Sequence, residues 1–122
     1  MEQKRVWETR QQESIVKQGM MKFAKHNRIR SKVGMRDETN NEILQFFEKL
    51  NGRVEGMKGF SVMSDPEDSQ ESIVLTFWET KDNMDTFYQS GNTVLSSLVE
   101  KLKSSFEQPP ERKDYKIVAF AC

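Results

Sequence analysis

The chain predicts an α+β fold of the ferredoxin-like kind, a four-stranded antiparallel sheet with helices on one face, in the order β-α-β-β-α-β. Three observations predict it. The segments at residues 21–35 and 71–80 carry strand patterns, the first alternating along its length and the second (ESIVLTFWET) dense in β-branched and aromatic residues. Two other stretches repeat apolar residues every three or four positions, as helices do. A short acidic turn with Pro66 joins the second and third strand segments closely enough for a hairpin. A length of 122 residues suits one domain, burying roughly two thirds of the surface of its unfolded chain.

Residues 1–20 form a polar N-terminal extension, in which Val6, Trp7, Ile15 and Val16 are the large apolar residues before Met20. A mobile tail and a helix docked on the body or on a partner subunit are both open readings. The domain proper is expected over residues 21–122.

Residues 21–35 read as the first strand. Phe23, Lys25, Asn27, Ile29, Ser31 and Val33 share one parity; Ala24, His26, Arg28, Arg30 and Lys32 share the other. Gly34 and the Arg36–Asp37 pair end it. Residues 38–57 read as a helix through Ile43, Phe47, Leu50, Val54 and Met57, with Leu44 and Phe46 widening the stripe. Asp37 or Thr39 is the candidate cap, and Gly56 and Gly59 bracket the end. Residues 59–65 are the second strand and residues 71–80 the third. Residues 81–89 form a short helix with Met84, Phe87 and Tyr88 on one side. Ser90–Gly91–Asn92 breaks it, and residues 93–106 resume with Leu95, Leu98, Val99, Leu102 and Phe106. Pro109 and Pro110 forbid continuation. Residues 114–121 (DYKIVAFA) are the fourth strand.

Helices on one face leave the other face of the sheet uncovered. Its expected residues include Val62, Val74, Thr76, Trp78 and Phe120, too apolar to stay wet. A second copy of the sheet is the simplest cover, which predicts a two-fold homodimer.

Nineteen Lys+Arg balance nineteen Asp+Glu. Zero net charge opposes a nucleic-acid partner, and SIVLTFWE lacks the Gly-aromatic pattern of RNA-recognition strands. No apolar run reaches membrane-spanning length, and the N-terminus has no signal-peptide core. A cytoplasmic protein without a membrane partner is therefore expected. Cys122 is the single cysteine, which excludes an internal disulfide and a multi-cysteine metal site; lacking a visible His partner, it reads as inert. No metal ligand set is expected.

Three stretches resemble the antibiotic-biosynthesis-monooxygenase-like proteins: Gly59–Phe60 entering strand two after Val54–Glu55–Gly56–Met57; Leu75–Thr76–Phe77–Trp78–Glu79–Thr80 with Met84 and Phe87 downstream; and Lys22–Phe23–Ala24–Lys25–His26–Asn27–Arg28–Ile29. The resemblance implies a dimeric α/β barrel and a pocket between sheet and helices. The third stretch is similar to strand one of the family's heme-degrading branch. That branch implies an Asn beside the heme-bound oxygen, matched by Asn27. It implies a bulky Trp on the first short helix, where this chain has Phe87, and an axial His on the next helix, where it has Ser97. Heme iron takes His, Cys, Met or Tyr. The single His26 neighbours Asn27 on a strand and so faces the other way. Tyr88, Met84 and Cys122 are the remaining ligand types, without supporting spacing. Heme and no cofactor at all are both open.

Asn27 is the candidate catalytic residue, a carboxamide able to orient a substrate oxygen or stabilise an oxyanion. Phe23, Phe47, Phe87, Tyr88 and Ser97 are the candidate substrate-binding set, with Phe46 beside them. His26, Arg28 and Trp78 are candidates for the dimer interface; His26 as a general base is the other reading. The basic stripe Lys22, Lys25, Arg28, Arg30 and Lys32 reads first as a solvated face, with anion binding as the other reading; Arg28 and Arg30 share the parity of His26, which opens pairing with acids across the dimer. Asp65, Glu67 and Asp68 read as a solvated loop. The expected function is a monooxygenase-like reaction on an aromatic or porphyrin substrate; a non-catalytic ligand-binding or structural dimer is the alternative.

Overall fold

A computed structural model describes residues 21–121. The extension at residues 1–20 and Cys122 lie outside the described residues. In chain order the elements are β1 (Phe23–Arg30), α1 (Arg36–Leu50), β2 (Met57–Ser64), β3 (Glu71–Trp78), α2 (Lys81–Tyr88), α3 (Thr93–Leu102) and β4 (Glu111–Lys116). The four strands form one antiparallel sheet in the order β2-β3-β1-β4. This is the ferredoxin-like arrangement, with its second crossover helix split into α2 and α3.

Local chemistry sets most boundaries. Asn51 and Gly52, the latter at φ +78°, stop α1 well before residue 57, so Val54 lies in the connection and Met57 opens β2. The α1 start has no side-chain cap; Asp37 and Glu38 instead place negative charge in its first turn. Gly56 also has φ +78°, and a Cβ there would run into Asn83 of α2, so this connection requires glycine twice over. Thr80 caps α2, its hydroxyl accepting from Asn83 N at 3.0 Å. Asn92 caps α3, accepting from Val94 N at 3.0 Å and Leu95 N at 3.3 Å.

The fourth strand is displaced from its expected place. The apolar run Ile117–Val118–Ala119–Phe120 looked like its centre, yet β4 is the polar stretch Glu111–Lys116 on the sheet edge. One face of an edge strand and its outer rim meet water, so polarity is no bar to pairing there. Val118 is 96% exposed, whereas Phe120 folds back edge-to-face on Phe77 at 5.8 Å.

The two sheet faces reverse part of the expected assignment. Ser72, Val74, Thr76 and Trp78 lie under the helices and are buried. Val62 is opposite Val74 and shares that face. The open face carries Ile73, Leu75 and Phe77 of β3, with Ala24, His26 and Arg28 opposite them on β1. Trp78 is therefore a core residue and not an interface residue. It is fully buried, lies 5.3 Å from Phe87, and donates its indole N–H to Thr76 Oγ1 at 2.9 Å. Ile73, Leu75 and Phe77 make the more apolar parity of β3, yet the helices cover Ser72, Val74, Thr76 and Trp78, so strand pattern alone could not say which side becomes core.

The arginines of β1 find acids within their own chain. Arg28 pairs with Glu71 and lies 3.6 Å from Glu111; Arg30 meets Asp68 at 2.8 Å and Glu107 at 3.0 Å. Arg36 donates to the carbonyls of Asp65 at 2.8 Å and Asp68 at 2.6 Å. The acidic hairpin turn is thus clamped by two arginines, and the Arg30 hydrogen bond holds the Asp68 carboxyl below the usual carboxylate range.

Candidate functional site

Buried hydroxyls of Ser31, Thr39 and Ser72 dot the core between sheet and helices, but its hydrogen-bonded polar side chains gather near the β1–β4 edge. Asn27 projects there, 5% exposed, opposite Val74 of β3 and Arg112 of β4. Its amide nitrogen donates to Val74 O at 3.1 Å and to the Tyr88 hydroxyl at 3.3 Å. Its carbonyl oxygen accepts from Arg112 Nε at 3.0 Å. Tyr88 ends α2, and its hydroxyl lies 2.8 Å from Thr76 Oγ1. A chain of polar groups therefore runs Trp78, Thr76, Tyr88, Asn27, Arg112 across three strands and a helix.

Two cations lie against the Tyr88 ring: Lys25 Nζ at 4.8 Å and the Arg112 guanidinium at 5.2 Å from its centre. Lys25 is buried and pairs with Asp114 at 2.5 Å. Burial pushes the Tyr88 phenol above its ordinary pKa, while hydrogen bonds with Thr76 and Asn27 and the charge of Arg112 oppose that shift in part. Tyr88 is accordingly a neutral phenol at physiological pH, with its proton in place.

A cavity of about 30 Å³ adjoins this network. Asn27, Tyr88 and Arg112 form its polar end; Ile43, Phe47 and the α3 residues Leu95, Leu98 and Leu102 form much of the rest. A wider cleft of about 360 Å³ lies outside, between the residue 89–92 connection, α3 and Pro109–Pro110. The two share Tyr88, Leu95, Val99, Pro110 and Arg112 as walls. Asn92 shapes the cleft doubly, capping α3 and donating to Phe87 O at 2.6 Å.

Of the candidates from the sequence, Asn27, Phe47 and Tyr88 meet at the cavity. The others do not. Phe23 packs against the edge of the core. Phe87 is buried between Trp78, Tyr88 and Phe47, a core role. Ser97 is exposed on α3, donating to Thr93 O at 2.6 Å, because the helical period that turns Leu95, Leu98, Val99 and Leu102 inward turns it out. His26 lies on the open face, 6.0 Å edge-to-face from Tyr115, remote from Asn27's cavity. Arg28 shares that face.

Thr76, Lys25 and Arg112 were missed. Thr76 was assigned to the wrong face. Arg112 fell before the expected fourth strand; its signal would have been the alternation of Arg112 and Asp114 inside a polar run, which is faint.

The residues present do not fit a heme. Among the described residues, the cavity wall offers iron no His, Cys or Met. Tyr88 is its one ligand type, and that phenol is protonated and hydrogen-bonded. The cavity is also far smaller than a porphyrin. No cluster of His, Cys, Asp and Glu suited to a metal ion occurs among the described residues. No helix among them is long and apolar enough to cross a membrane.

The sequence profile of a family described as antibiotic biosynthesis monooxygenase matches residues 22–93. Among solved structures, a candidate antibiotic biosynthesis monooxygenase from Bordetella bronchiseptica superposes with TM-score 0.68 at 22% identity, over 80% of this chain and 98% of that one. A candidate antibiotic biosynthesis monooxygenase from Nitrosomonas europaea gives TM-score 0.68 at 12% identity, over 83% and 93%. A conserved protein from Methanosarcina mazei gives 0.66 at 16% identity, over 80% and 93%. At these identities the likeness is one of fold. No curated protein sequence matches the chain.

Proposed function

The chain belongs to the antibiotic biosynthesis monooxygenase family, and from that premise we propose that it is a monooxygenase-like enzyme acting on a small electron-rich aromatic without heme. The observation that carries this reading is the apolar cavity ending on the Asn27–Tyr88–Arg112 network. At about 30 Å³ the cavity takes an oxygen substituent and not a ring, so a flat ring would lie in the outer cleft of about 360 Å³ that shares Tyr88 and Arg112 with it. Leu95, Val99 and Pro110 flank the ring there; Asn27, with both ends of its carboxamide engaged, is a positioning residue that holds Tyr88 and Arg112 in place. In the reaction, a phenol with a free para position and O₂ become a quinone and water. One oxygen atom bonds to the ring carbon, the other leaves as water, and four electrons pass from phenol to O₂, so no external reductant is consumed.

The functional unit in this proposal is a homodimer closed through the open sheet face. Ile73, Leu75 and Phe77 are only partly covered there, and Met63 and Tyr115 are 42% and 46% exposed. We place its action in the cytoplasm, since a fold with one cysteine needs no oxidising compartment.

Oxygen uptake tests the enzymatic reading, with 1-naphthol and other phenols unsubstituted at the para position as substrates and quinone absorbance as the second readout. Uptake above autoxidation, reduced in Asn27→Ala with the fold retained, is the expected result. No uptake across the panel rejects catalysis. The narrowness of the inner cavity favours the second reading, a non-catalytic module for a small ligand in the outer cleft; ligand binding without turnover is its signature.

A further inference from the structure

The hydrogen-bond count around Tyr88 leaves one donor unspent. Thr76 is fully buried, and its hydroxyl already accepts from Trp78 Nε1. The proton on Thr76 needs an acceptor, since an unpaired buried hydroxyl is costly. The one acceptor that its bonds offer among the described residues is the Tyr88 oxygen at 2.8 Å. Thr76 therefore donates to Tyr88. The same oxygen accepts from Asn27. With both lone pairs of that oxygen taken, the Tyr88 O–H has no partner among the described residues, and Tyr88 lines both the inner cavity and the outer cleft.

Beside it, Arg112 spends Nε on Asn27 and keeps its two terminal nitrogens. Neither neighbouring acid on β4 pairs with it: Asp114 is taken by Lys25, and Glu111 lies against Arg28. Arg112 is the one cation lining either space; Glu100, across the outer cleft, is the one anion. The guanidinium is also immobilised, by its Asn27 bond and by the Tyr88 ring beneath it.

We propose that the Tyr88 O–H and the free Arg112 N–H groups form an oxyanion subsite at the junction of cavity and cleft, which selects aromatic ligands carrying a phenolate or carboxylate oxygen. Fixed donors, one of them a guanidinium fork, bind an anionic oxygen more strongly than a neutral one. The subsite deepens the proposed function, on which its role in turnover rests, but its binding preference stands by itself.

Calorimetric titration of the full chain with two probe pairs tests it. Benzoate against benzamide reports on a carboxylate. 4-Nitrophenol above and below its own ionisation, followed also by its phenolate absorbance, reports on a phenolate. At least one anionic probe is expected to bind about tenfold tighter than its neutral partner, the scale of one charge-assisted hydrogen bond. Arg112→Gln lowers affinity for the anionic probe far more than for the neutral one and so removes that preference; Tyr88→Phe lowers it while keeping the ring. Arg112→Lys restores part of it through charge without the fork. Equal binding of neutral and anionic probes overturns the subsite, as does a preference that survives Arg112→Gln, or no binding of any probe. Anion binding that depends on Arg112 without oxygen uptake sustains the subsite and rejects the monooxygenase reading. Oxygen uptake on neutral phenols without any charge preference does the reverse.

Discussion

The two faces of this one sheet follow different rules. The covered face buries Val74, Thr76 and Trp78 under helices of the same chain, and Thr76, Trp78, Tyr88 and Asn27 share one hydrogen-bonded network there, while the Ser72 and Thr39 hydroxyls stand outside it. The open face holds Ile73, Leu75 and Phe77 beside His26, Arg28 and Lys113, with Phe120 folded over one end. Its charges pair locally, Arg28 with Glu71, rather than joining a network. Packing on the first face is set by helices of the same chain, whereas the second is the surface assigned to the homodimer in the proposal above. Mutations on the two faces should accordingly report on different quantities, folding on one and association on the other.

Trp78→Ala breaks the comparison most severely. Loss of a fully buried indole should cost about 3–5 kcal/mol in chemical denaturation, while Phe77→Ala, one residue away on the open face, should cost less than half of that at low protein concentration. Equal losses would mean that both faces belong to the monomer's own core. Leu75→Asp comes next. It should leave secondary structure intact and weaken self-association by about a hundredfold or more, the cost of burying an unpaired carboxylate; an unchanged sedimentation profile would remove the open face from the dimer proposal. Asn27→Ala sharpens the covered side. It leaves Arg112 and Tyr88 without a shared partner and should cost about 1–3 kcal/mol in unfolding free energy, with a larger proportional effect on ligand binding than on the fold. Asp68→Asn is the mildest. The Asp68 carboxyl is held below its ordinary pKa by Arg30, so its contribution is present above the unfolded aspartate value and fades as pH falls through the lowered one. The variant should flatten the acid limb of the stability–pH curve, leaving neutral stability little changed; an identical acid limb would show that the Arg30 clamp carries no linkage.

Much of the architecture was legible because each element carried its own punctuation. Asn92 ahead of Thr93, the Pro109–Pro110 pair and the acidic hairpin turn are local signals with local causes. The inward stripe of α3 also follows from its spacing. The placement of Asn27 under the helices was legible too, since β1 has one mixed and one basic parity. The end of α1 was not, since Val54 and Met57 keep the helical period past the stop at Asn51–Gly52. Two further things were not. On β3 both parities carry large apolar residues, and the one that includes Ser72 and Thr76 is the one the helices cover, which nothing in ESIVLTFW announces. On β4 the paired segment is ERKDYK, and the greasier run just after it drew the strand assignment forward. That displacement hid Arg112, the charged member of the site.

Residue order alone settles the succession of strands and helices here, because turn chemistry, capping and periodicity act over a few neighbouring positions. Which side of β3 becomes core, and which two cations flank Tyr88, are decided only when β1 pairs with β3 and β4 and α2 folds across them. Asn27 and Arg112 are 85 positions apart along the chain; no local preference reaches that far, and only the register of two paired strands brings a carboxamide and a guanidinium together.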